Sequence, residues 1–426
     1  MRMYIKCKPS FTGKREKTGG FCRRNEKKRE MSEMRKCKLA VIGFGQRGYD
    51  YAEMIAKTPT AELTALCDTD PKRAEVFARE LGLEAVPRYN SPEELLAKGD
   101  FDAAILTTPD FMHRECAVAC CNAKKSIMLE KPMAPTAAEC REIIRAAREN
   151  QCTIQIGFVL RSHPVFRRVL EVARSGVLGQ ILNICAAEHI GVMHGASYMR
   201  RWHRKLANSG GFILAKCSHD LDIIATAANS HVRRVASFGS LDYFTTDKLK
   251  YNYCSECPDA NCRYRFKGEF VRMTPEEKAN PSARPFDLCV YNKDKELVDH
   301  EVVMLDFANG IKANFALNLF AQVPKRTISL CGVNGILYAD TAEECIHIHY
   351  SDGKGYERID CKADNTSGHG GSDQTFLNEF IDCVLHHKKP QADYMAGLAS
   401  TVVGNAVEQA RLTNQVVEIP EEAYQL

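Results

Sequence analysis

The chain has no long hydrophobic run, and this absence sets the first limits on what kind of protein it is. None of its apolar stretches approaches the roughly 20 residues that a membrane-spanning helix needs. The N-terminus has no apolar core of a secretory signal, so we expect a cytoplasmic protein. Internal repeats are also absent. A chain of 426 residues that is 45% hydrophobic can bury a large core, and its length suggests two or three domains.

Most of the chain also lacks an excess of positive charge, although its net charge is +4. Residues 1–36 hold 13 Lys and Arg against 4 Asp and Glu, whereas the other 390 residues hold 45 against 50. This mildly acidic remainder has no basic surface for nucleic acid, and we expect neither nucleic acid nor membrane as a partner. Residues 1–36 have too few apolar side chains to fold alone and are expected to be a disordered basic leader. A true start at Met31 or Met34, or an arm that binds nucleic acid or membrane, are the alternatives.

Cysteine is abundant, with 19 residues, but the pattern is not that of a disulfide-stabilised secreted domain. In a reducing cytoplasm most of these thiols act as small buried hydrophobes. One group differs, because Cys254, Cys257 and Cys262 follow each other closely in a polar insert at about 244–289, where Cys289 is the best fourth ligand. Ordering a long polar insert costs conformational entropy unless a crosslink or a ligand holds it in place. A structural zinc ion is the leading interpretation, and free thiols, a disulfide or an iron–sulfur cluster are the alternatives.

Strands and helices alternate through the first part of the chain. Short apolar runs without polar alternation are typical of strands buried on both faces, and they occur at 38–43, 62–67, 102–106, 126–129 and 153–157. Helical segments separate these runs, which predicts βαβ units and a parallel sheet. We therefore predict an α/β chain with a Rossmann domain at 37–159. Residues 160–426 combine alternating strands with helices, which predicts a second, α+β domain.

A glycine-rich turn lies between the first strand and the first helix, and it reads Gly43-Phe44-Gly45-Gln46-Arg47-Gly48. This is the dinucleotide-binding pattern G-x-G-x-x-G in the structural context that it requires. Its glycines permit a tight turn, a close approach to pyrophosphate and close packing of the helix, whose N-terminus attracts phosphate. Asp68 ends the second strand, where a carboxylate binds ribose hydroxyls and favours NAD over NADP. The alternative is that Asp68 only caps the next helix.

Two more motifs end strands at the sheet edge where open α/β sheets bind ligands. One is Thr107-Thr108-Pro109, followed by His113, and the other is Glu130-Lys131-Pro132. With the glycine turn and Asp68, in this order and spacing, they resemble the Gfo/Idh/MocA family of oxidoreductases over about residues 38–418. The resemblance implies that these residues bind the cofactor. It also implies that the second domain has an open, mainly antiparallel sheet for substrate binding and oligomerisation.

The resemblance also implies that Lys131 touches both the nicotinamide ribose and a substrate hydroxyl. Beside a cationic nicotinamide the pKa of a lysine falls, so that it can relay a proton. A second family motif, Gly-Gly-x-x-x-Asp-x-Gly-x-His-x-x-Asp, is present from Gly210 with His219 and Asp222 in place, but Ala215 replaces its first Asp. We expect His219 to be the acid or base; a purely structural histidine is the alternative. Further candidates for substrate contact are Arg161, Lys216, Asp222 and Trp202, with Tyr198, Arg201 and His203 beside the tryptophan.

These observations favour an NAD-dependent dehydrogenase that acts on a secondary alcohol of a sugar, sugar acid or cyclitol. NADP is the less favoured cofactor. A redox-neutral, NAD-dependent enzyme that cleaves glycosides is the first alternative, and the loss of the carboxylate at Ala215 is compatible with it. A non-catalytic NAD-binding sensor is the second. We expect a homo-oligomer, because an open sheet commonly supplies a dimer face.

Overall fold

The computed structural model of the chain describes residues 35–268, 270–284, 286–351, 353, 355–362 and 369–426. The predicted basic leader at 1–36 therefore lies outside the described residues except for its last two. None of the described helices combines the length and the apolarity that crossing a bilayer requires.

The strands form two sheets. Those of the first sheet are β1 Cys37–Ile42, β2 Ala61–Cys67, β3 Arg88–Tyr89, β4 Ala103–Leu106, β5 Ser126–Leu129 and β6 Ile154–Ile156. Those of the second are β7 Ile181–Gly191, β8 Val232–Ser240, β9 His300–Phe307, β10 Lys312–Ala321, β11 Lys325–Gly332, β12 Gly335–Asp340, β13 Cys345–Tyr350, β14 Tyr356–Asp360 and β15 Val417–Glu418. The helices are α1 Gln46–Ala56, α2 Pro71–Glu80, α3 Pro92–Lys98, α4 His113–Asn122, α5 Ala137–Glu149, α6 Pro164–Ser175, α7 Val192–Arg200, α8 Leu206–Ser209, α9 Phe212–Ala228, α10 Pro275–Ala279, α11 Ser372–His386 and α12 Tyr394–Thr413.

The first sheet is parallel throughout, with strand order β3-β2-β1-β4-β5-β6. This is the order of a dinucleotide-binding Rossmann fold, and it confirms the predicted fold class. The five predicted strands are all present, because an uninterrupted apolar run has no stable place except between two layers of helices. The two-residue strand β3 and helix α3 have weaker apolar patterns and were not predicted.

The second sheet has nine strands in the order β14-β13-β12-β11-β7-β10-β9-β8-β15. All neighbours are antiparallel except β7 and β10, so the predicted mainly antiparallel sheet is confirmed. Helix α7 and the strands β14 and β15 were not predicted. The placement of the domain boundary at 159/160 stays a prediction.

Helix α9 packs on strand β7 of the second sheet and carries part of the cleft. Its sequence is apolar on nearly all sides, the pattern of a helix that is covered all round, and almost every residue in it is buried. Helix α12 packs against it so closely that a Cβ atom on Gly404 would lie 3.0 Å from Leu214 Cβ. Because the core runs continuously from the first sheet through α9 to the second sheet, polar residues on α9 are held in fixed positions.

Candidate active site

The main cavity has a volume of about 920 Å³ and lies between the carboxyl ends of the first sheet and helix α9. Residues that follow β1, β2, β4 and β5 line one side, and α7 and α9 line the other. This is the edge at which open parallel sheets bind their ligands.

The glycine turn contributes an open surface to this cavity. Gly43 has a φ of +89°, and a Cβ atom there would lie 2.8 Å from Thr108 N. At Gly48 a Cβ atom would lie 2.1 Å from Gly43 O, so helix α1 can approach the turn only with glycine at this position. At Gly45 a Cβ atom would meet nothing within 4 Å. The space in front of Gly45, at the N-terminus of α1, is therefore free to take a phosphate group.

Asp68 accepts hydrogen bonds from Phe44 N at 2.7 Å and Asp70 N at 2.8 Å. The cap of α2 is Asp70, whose side chain accepts from Lys72 N and Arg73 N. The alternative that Asp68 caps this helix is therefore wrong. A carboxylate has about four acceptor positions, so Asp68, which lines the cavity, keeps room for ribose hydroxyls.

Arg47 and Glu130 also line the cavity, but their charged groups bind each other. Arg47 Nε donates to Glu130 Oε1 at 2.8 Å, and Nη1 donates to Asp373 Oδ2 at 3.0 Å. Burial acts to raise the pKa of Glu130, but the charges of Arg47 and Lys131, together with the hydrogen bond from Arg47, outweigh it, and the net shift is downward. The three side chains join the glycine turn to the Lys131 loop and to α11.

His113 is fully buried and does not reach the cavity. Its Nδ1 lies 2.8 Å from Pro132 O and its Nε2 lies 3.0 Å from Thr108 O. Burial lowers the pKa of this histidine. The sequence predicts contact with the cofactor here, whereas in the structure His113 ties together the two strand-end loops that carry Thr108 and Lys131.

Lys131 and His219 face the same part of the cavity. Lys131 Nζ donates to Ala215 O at 2.7 Å, and burial together with the Lys216 charge lowers the pKa of Lys131. Burial, followed by the Lys131 charge, holds the pKa of His219 well below its usual value. His219 Nδ1 is buried and has no hydrogen-bond partner among the described residues. The site thus presents a neutral imidazole beside a lysine whose pKa is lowered.

Lys216 also lines the cavity, and its positive charge is neutralised by the carboxylate of Glu188. Its Nζ lies 3.0 Å from Glu188 Oε1, and Arg326 binds Glu188 at 2.5 Å and Asp220 at 2.9 Å. Burial acts to raise the pKa of Glu188, but the charges of Arg326 and Lys216 lower it to about 2. Glu188, Asp220 and Cys217 bring three possible metal-ligand atoms within 4.8 Å of one another, but the two cations already neutralise the carboxylates.

Two of the predicted substrate residues are not brought to the cavity. Arg161 Nη2 binds Asp222 Oδ1 at 2.5 Å, and Arg161 Nε donates to Asp222 Oδ2 at 2.7 Å. Neither residue lines the cavity. Asp222 lies on α9 almost two turns beyond Ala215, where its partner is this arginine and not a ligand.

Trp202 does line the cavity and stacks on His203, with ring centroids 3.6 Å apart. Tyr198 and Arg201 lie in the same wall. Burial holds the pKa of His203 well below its usual value. The wall therefore presents uncharged rings together with one guanidinium group.

The cavity residues that the sequence did not single out include His194, His369 and Asp373. His369 Nδ1 lies 3.1 Å from Asp373 Oδ1, and the His369 ring centroid lies 6.1 Å from that of His219. The only local signal was a His-Gly-Gly-Ser-Asp run directly before helix α11. Its relation to His219 is visible only in the tertiary structure.

The four cysteines of the insert are free, half-buried thiols. An isolated antiparallel bridge between Tyr253 and Leu288 brings the segment that carries Cys254 against the segment that carries Cys289. Cys254 N donates to Asp287 O at 2.8 Å, and Cys289 N donates to Asn252 O at 2.7 Å. The predicted fourth member of the group thus lies next to the first, although they are far apart in sequence. A disulfide among these four, one of the alternatives, is not formed.

A Rossmann sheet with an open glycine turn, and a buried lysine–histidine pair at its edge, define the class of NAD-binding oxidoreductases. The chain belongs to the GFO/IDH/MocA family. Residues 37–158 match the oxidoreductase family, NAD-binding Rossmann fold, and residues 171–419 match the oxidoreductase family, C-terminal alpha/beta domain. The resemblance found in the sequence motifs is confirmed.

Among curated relatives, the oxidoreductase YteT of Bacillus subtilis (strain 168) is 22% identical over 351 residues, which cover 75% of this chain and 82% of YteT. Inositol 2-dehydrogenase of Salmonella typhimurium is 33% identical over 149 residues, or 34% of this chain and 44% of that enzyme. The latter match therefore spans less than half of the relative.

Solved structures share the fold at low identity. An oxidoreductase domain protein from Kribbella flavida superposes with a TM-score of 0.73 at 18% identity, covering 91% of this chain and 100% of the other. Levoglucosan dehydrogenase, in complex with NADH and levoglucosan, gives a TM-score of 0.72 at 16% identity, with 91% and 100% coverage.

Proposed function

We propose that the protein is an NAD-dependent dehydrogenase that acts on a secondary alcohol of a sugar, sugar acid or cyclitol. The observation that carries this proposal is the pairing of Lys131 with His219 at the sheet edge, each with a lowered pKa. Inositol 2-dehydrogenases among the relatives, and levoglucosan dehydrogenase among the shared folds, support the substrate class.

The residues of the turn and of the second strand fit NAD. The free space in front of Gly45 accommodates the pyrophosphate, and Asp68 accepts from the adenosine ribose. Arg73, the nearest arginine on α2, has both carboxylate oxygens of Glu277 at 2.7 Å from its Nη1. It is therefore not available to bind a 2′-phosphate, which supports a preference for NAD over NADP. When bound, NAD supplies the acceptor for the hydride that leaves the alcohol carbon.

The proton of the alcohol goes to the chain's own side chains. His219 is neutral at pH 7 because its pKa is lowered, and its imidazole, which lines the cavity, accepts the hydroxyl proton. Lys131 orients the same oxygen by hydrogen bonding, and its Nζ is held in place by Ala215 O. His369 and Asp373 stand behind His219 and offer a route for the proton toward solvent. In the reverse direction His219 returns the proton to a carbonyl oxygen.

The wall of the cavity supports a ring-shaped polyol as substrate. The stacked pair of Trp202 and His203 presents an apolar surface suited to the C–H face of a sugar or cyclitol ring. Lys216 and Arg201 present hydrogen-bond donors for hydroxyl or carboxylate groups.

One assay separates this function from the alternatives: incubation with NAD and a panel of sugars, sugar acids and cyclitols, followed by absorbance at 340 nm and by glycoside cleavage. We expect NADH to accumulate with at least one member of the panel. Ala215, which replaces the usual carboxylate, favours the redox-neutral reaction as second candidate, and cleavage without net NADH would establish it. NAD binding with neither signal would leave a sensor.

We also propose that the chain forms a homo-oligomer through the second sheet. Large apolar side chains on its outer face are exposed, among them Phe238 at 67% and Met304 at 52%, and Phe238 pairs with Val302 across neighbouring strands. A patch of this kind on a folded protein marks an interaction surface. Light scattering should give a multiple of the 47.7 kDa chain mass, and Met304→Glu should shift it toward the monomer; a wild-type monomer would refute the proposal.

The second cofactor that we propose is a structural zinc ion held by Cys254, Cys257, Cys262 and Cys289. The spacing of the first three suits tetrahedral zinc, and the bridge that joins the segments of Cys254 and Cys289 supports the fourth ligand. We expect about one zinc per chain by elemental analysis.

A further inference from the structure

We propose that the cysteine-rich insert (residues 244–289) is a metal-clipped cover over the adenosine end of the cleft, so that metal occupancy of the four-cysteine cluster sets the affinity for NAD. The proposal rests on the NAD site proposed above. It assigns the cluster a function in cofactor binding, beyond local stabilisation of a loop.

The insert is anchored on the first domain by ion pairs. Glu277 binds Arg73 with both side chains about nine-tenths buried, at 9% and 11% exposure. Arg284 binds Asp70, and Arg272 lies over the Tyr49 ring at 3.4 Å from its centroid. Asp70 and Arg73 begin α2, directly after Asp68, so the insert is attached where the ribose is expected.

The insert also forms part of the cavity itself. Phe270, Val271, Arg284 and Phe286 line it, opposite the glycine turn. Phe270 stacks on His194 with ring centroids 4.5 Å apart, and its carbonyl accepts from Arg201 Nη1 at 2.7 Å. The insert therefore contacts both domains at once, and its position determines how closed the cleft is.

Regular structure within the described part of the insert is limited to helix α10 and two short 3-10 turns. A segment of this length needs a crosslink or a ligand to hold one conformation. The Tyr253–Leu288 bridge joins the segments that carry Cys254 and Cys289, and Cys257 N donates to Cys254 O. A metal ion bound here would hold the two ends of the insert together.

The surroundings of the thiols suit a negatively charged metal–thiolate cluster. Phe266 N donates to Cys254 Sγ at 3.5 Å, the contact that stabilises a thiolate ligand. The Arg200 guanidinium lies over the Phe266 ring, 5.6 Å from its centroid, and brings a positive charge to this part of the insert. No three of the four sulfurs lie within 4.8 Å of one another, so metal binding requires the thiols to turn inward to Zn–S distances of about 2.3 Å.

Binding at the two sites is then coupled and reciprocal. If the metal orders the insert, it lowers the free energy needed to close the cleft around NAD, and NAD raises the affinity for the metal by the same factor.

The test uses the full chain, with zinc as the metal probe and NAD as the ligand. Wild type is expected to carry about one zinc per chain. In the double variant Cys254→Ser/Cys257→Ser we expect zinc to be lost and the Kd for NAD by calorimetry to rise at least tenfold, with unchanged stoichiometry. Glu277→Gln should weaken NAD binding while keeping the zinc. Cys331→Ser, which changes an exposed thiol on β11, is the matched control and should leave both values unchanged.

If the double variant does not fold, chelator-treated wild type gives the same comparison, and added zinc should restore the original Kd. Wild type that binds NAD tightly without any metal overturns the proposal, as does a zinc-free protein with an unchanged Kd. Wild type that holds zinc but takes up no NAD instead overturns the proposed function, and the coupling with it.

Discussion

Two glycines of the same turn are expected to respond in opposite ways to an added methyl group. In Gly48→Ala the new Cβ would lie 2.1 Å from Gly43 O and 2.9 Å from Thr107 Oγ1. Both contacts are shorter than a Cβ atom tolerates, and the first is to backbone, so helix α1 must move away from the sheet. Overpacking of this kind costs about 1–3 kcal/mol. For a chain of this size we expect the Tm to fall by roughly 1–3 °C.

In Gly45→Ala the new Cβ meets nothing within 4 Å, and the φ of −81° suits alanine. The free energy of unfolding should therefore stay within about 0.5 kcal/mol of wild type. The methyl group, however, enters the space proposed for the pyrophosphate. Loss of one hydrogen bond to a charged group corresponds to about 1.5–3 kcal/mol, so we expect the Kd for NAD to rise about ten- to hundredfold.

Thermal unfolding and NADH fluorescence titration of the two variants, side by side with wild type, make the comparison. Gly48→Ala should lower the Tm, and Gly45→Ala should lower the affinity without lowering the Tm. A Gly45→Ala protein that binds NAD as wild type does would show that the dinucleotide does not lie on this turn. An unchanged Tm in Gly48→Ala would show that the helix is not packed as closely as the structure describes.

Three further outcomes are expected. Lys131→Ala should reduce kcat by about a hundredfold or more while the Kd for NAD changes little; turnover like that of wild type would remove the lysine from the mechanism. Asp68→Ala should reduce the preference for NAD over NADP by about tenfold or more, measured as the ratio of the two kcat/KM values, and an unchanged ratio would place the ribose contact elsewhere. Stability should fall in mild acid, because burial lowers the pKa of several histidines, including His163 to about 4. These residues stay neutral in the folded state and are protonated on unfolding, so their contribution is complete above pH 6.5 and is lost as the pH falls toward 4. Each histidine contributes a slope of about 1.4 kcal/mol per pH unit in that window, and equal denaturation midpoints at pH 7.5 and 5 would contradict this.

The fold class and the cofactor side of the candidate site could be predicted from the sequence because they depend on local patterns. A buried parallel strand needs a continuous apolar run, and a phosphate-binding turn needs glycines at fixed offsets after such a strand. Both patterns occupy a few consecutive residues. The glycine turn, Asp68 and Lys131 therefore lie at the sheet edge where their positions after β1, β2 and β5 place them.

Contacts between distant segments were decided only by the tertiary structure. Arg47 and Asp373 are 326 positions apart and bind each other in the structure. Arg161 is bound by Asp222 on a helix of the second domain. Whether a charged side chain binds a ligand or a neighbouring side chain depends on which opposite charge the fold brings within about 4 Å, and no local pattern specifies that. The same holds for the insert, where Glu277 binds Arg73 of α2 although the two residues are 204 positions apart.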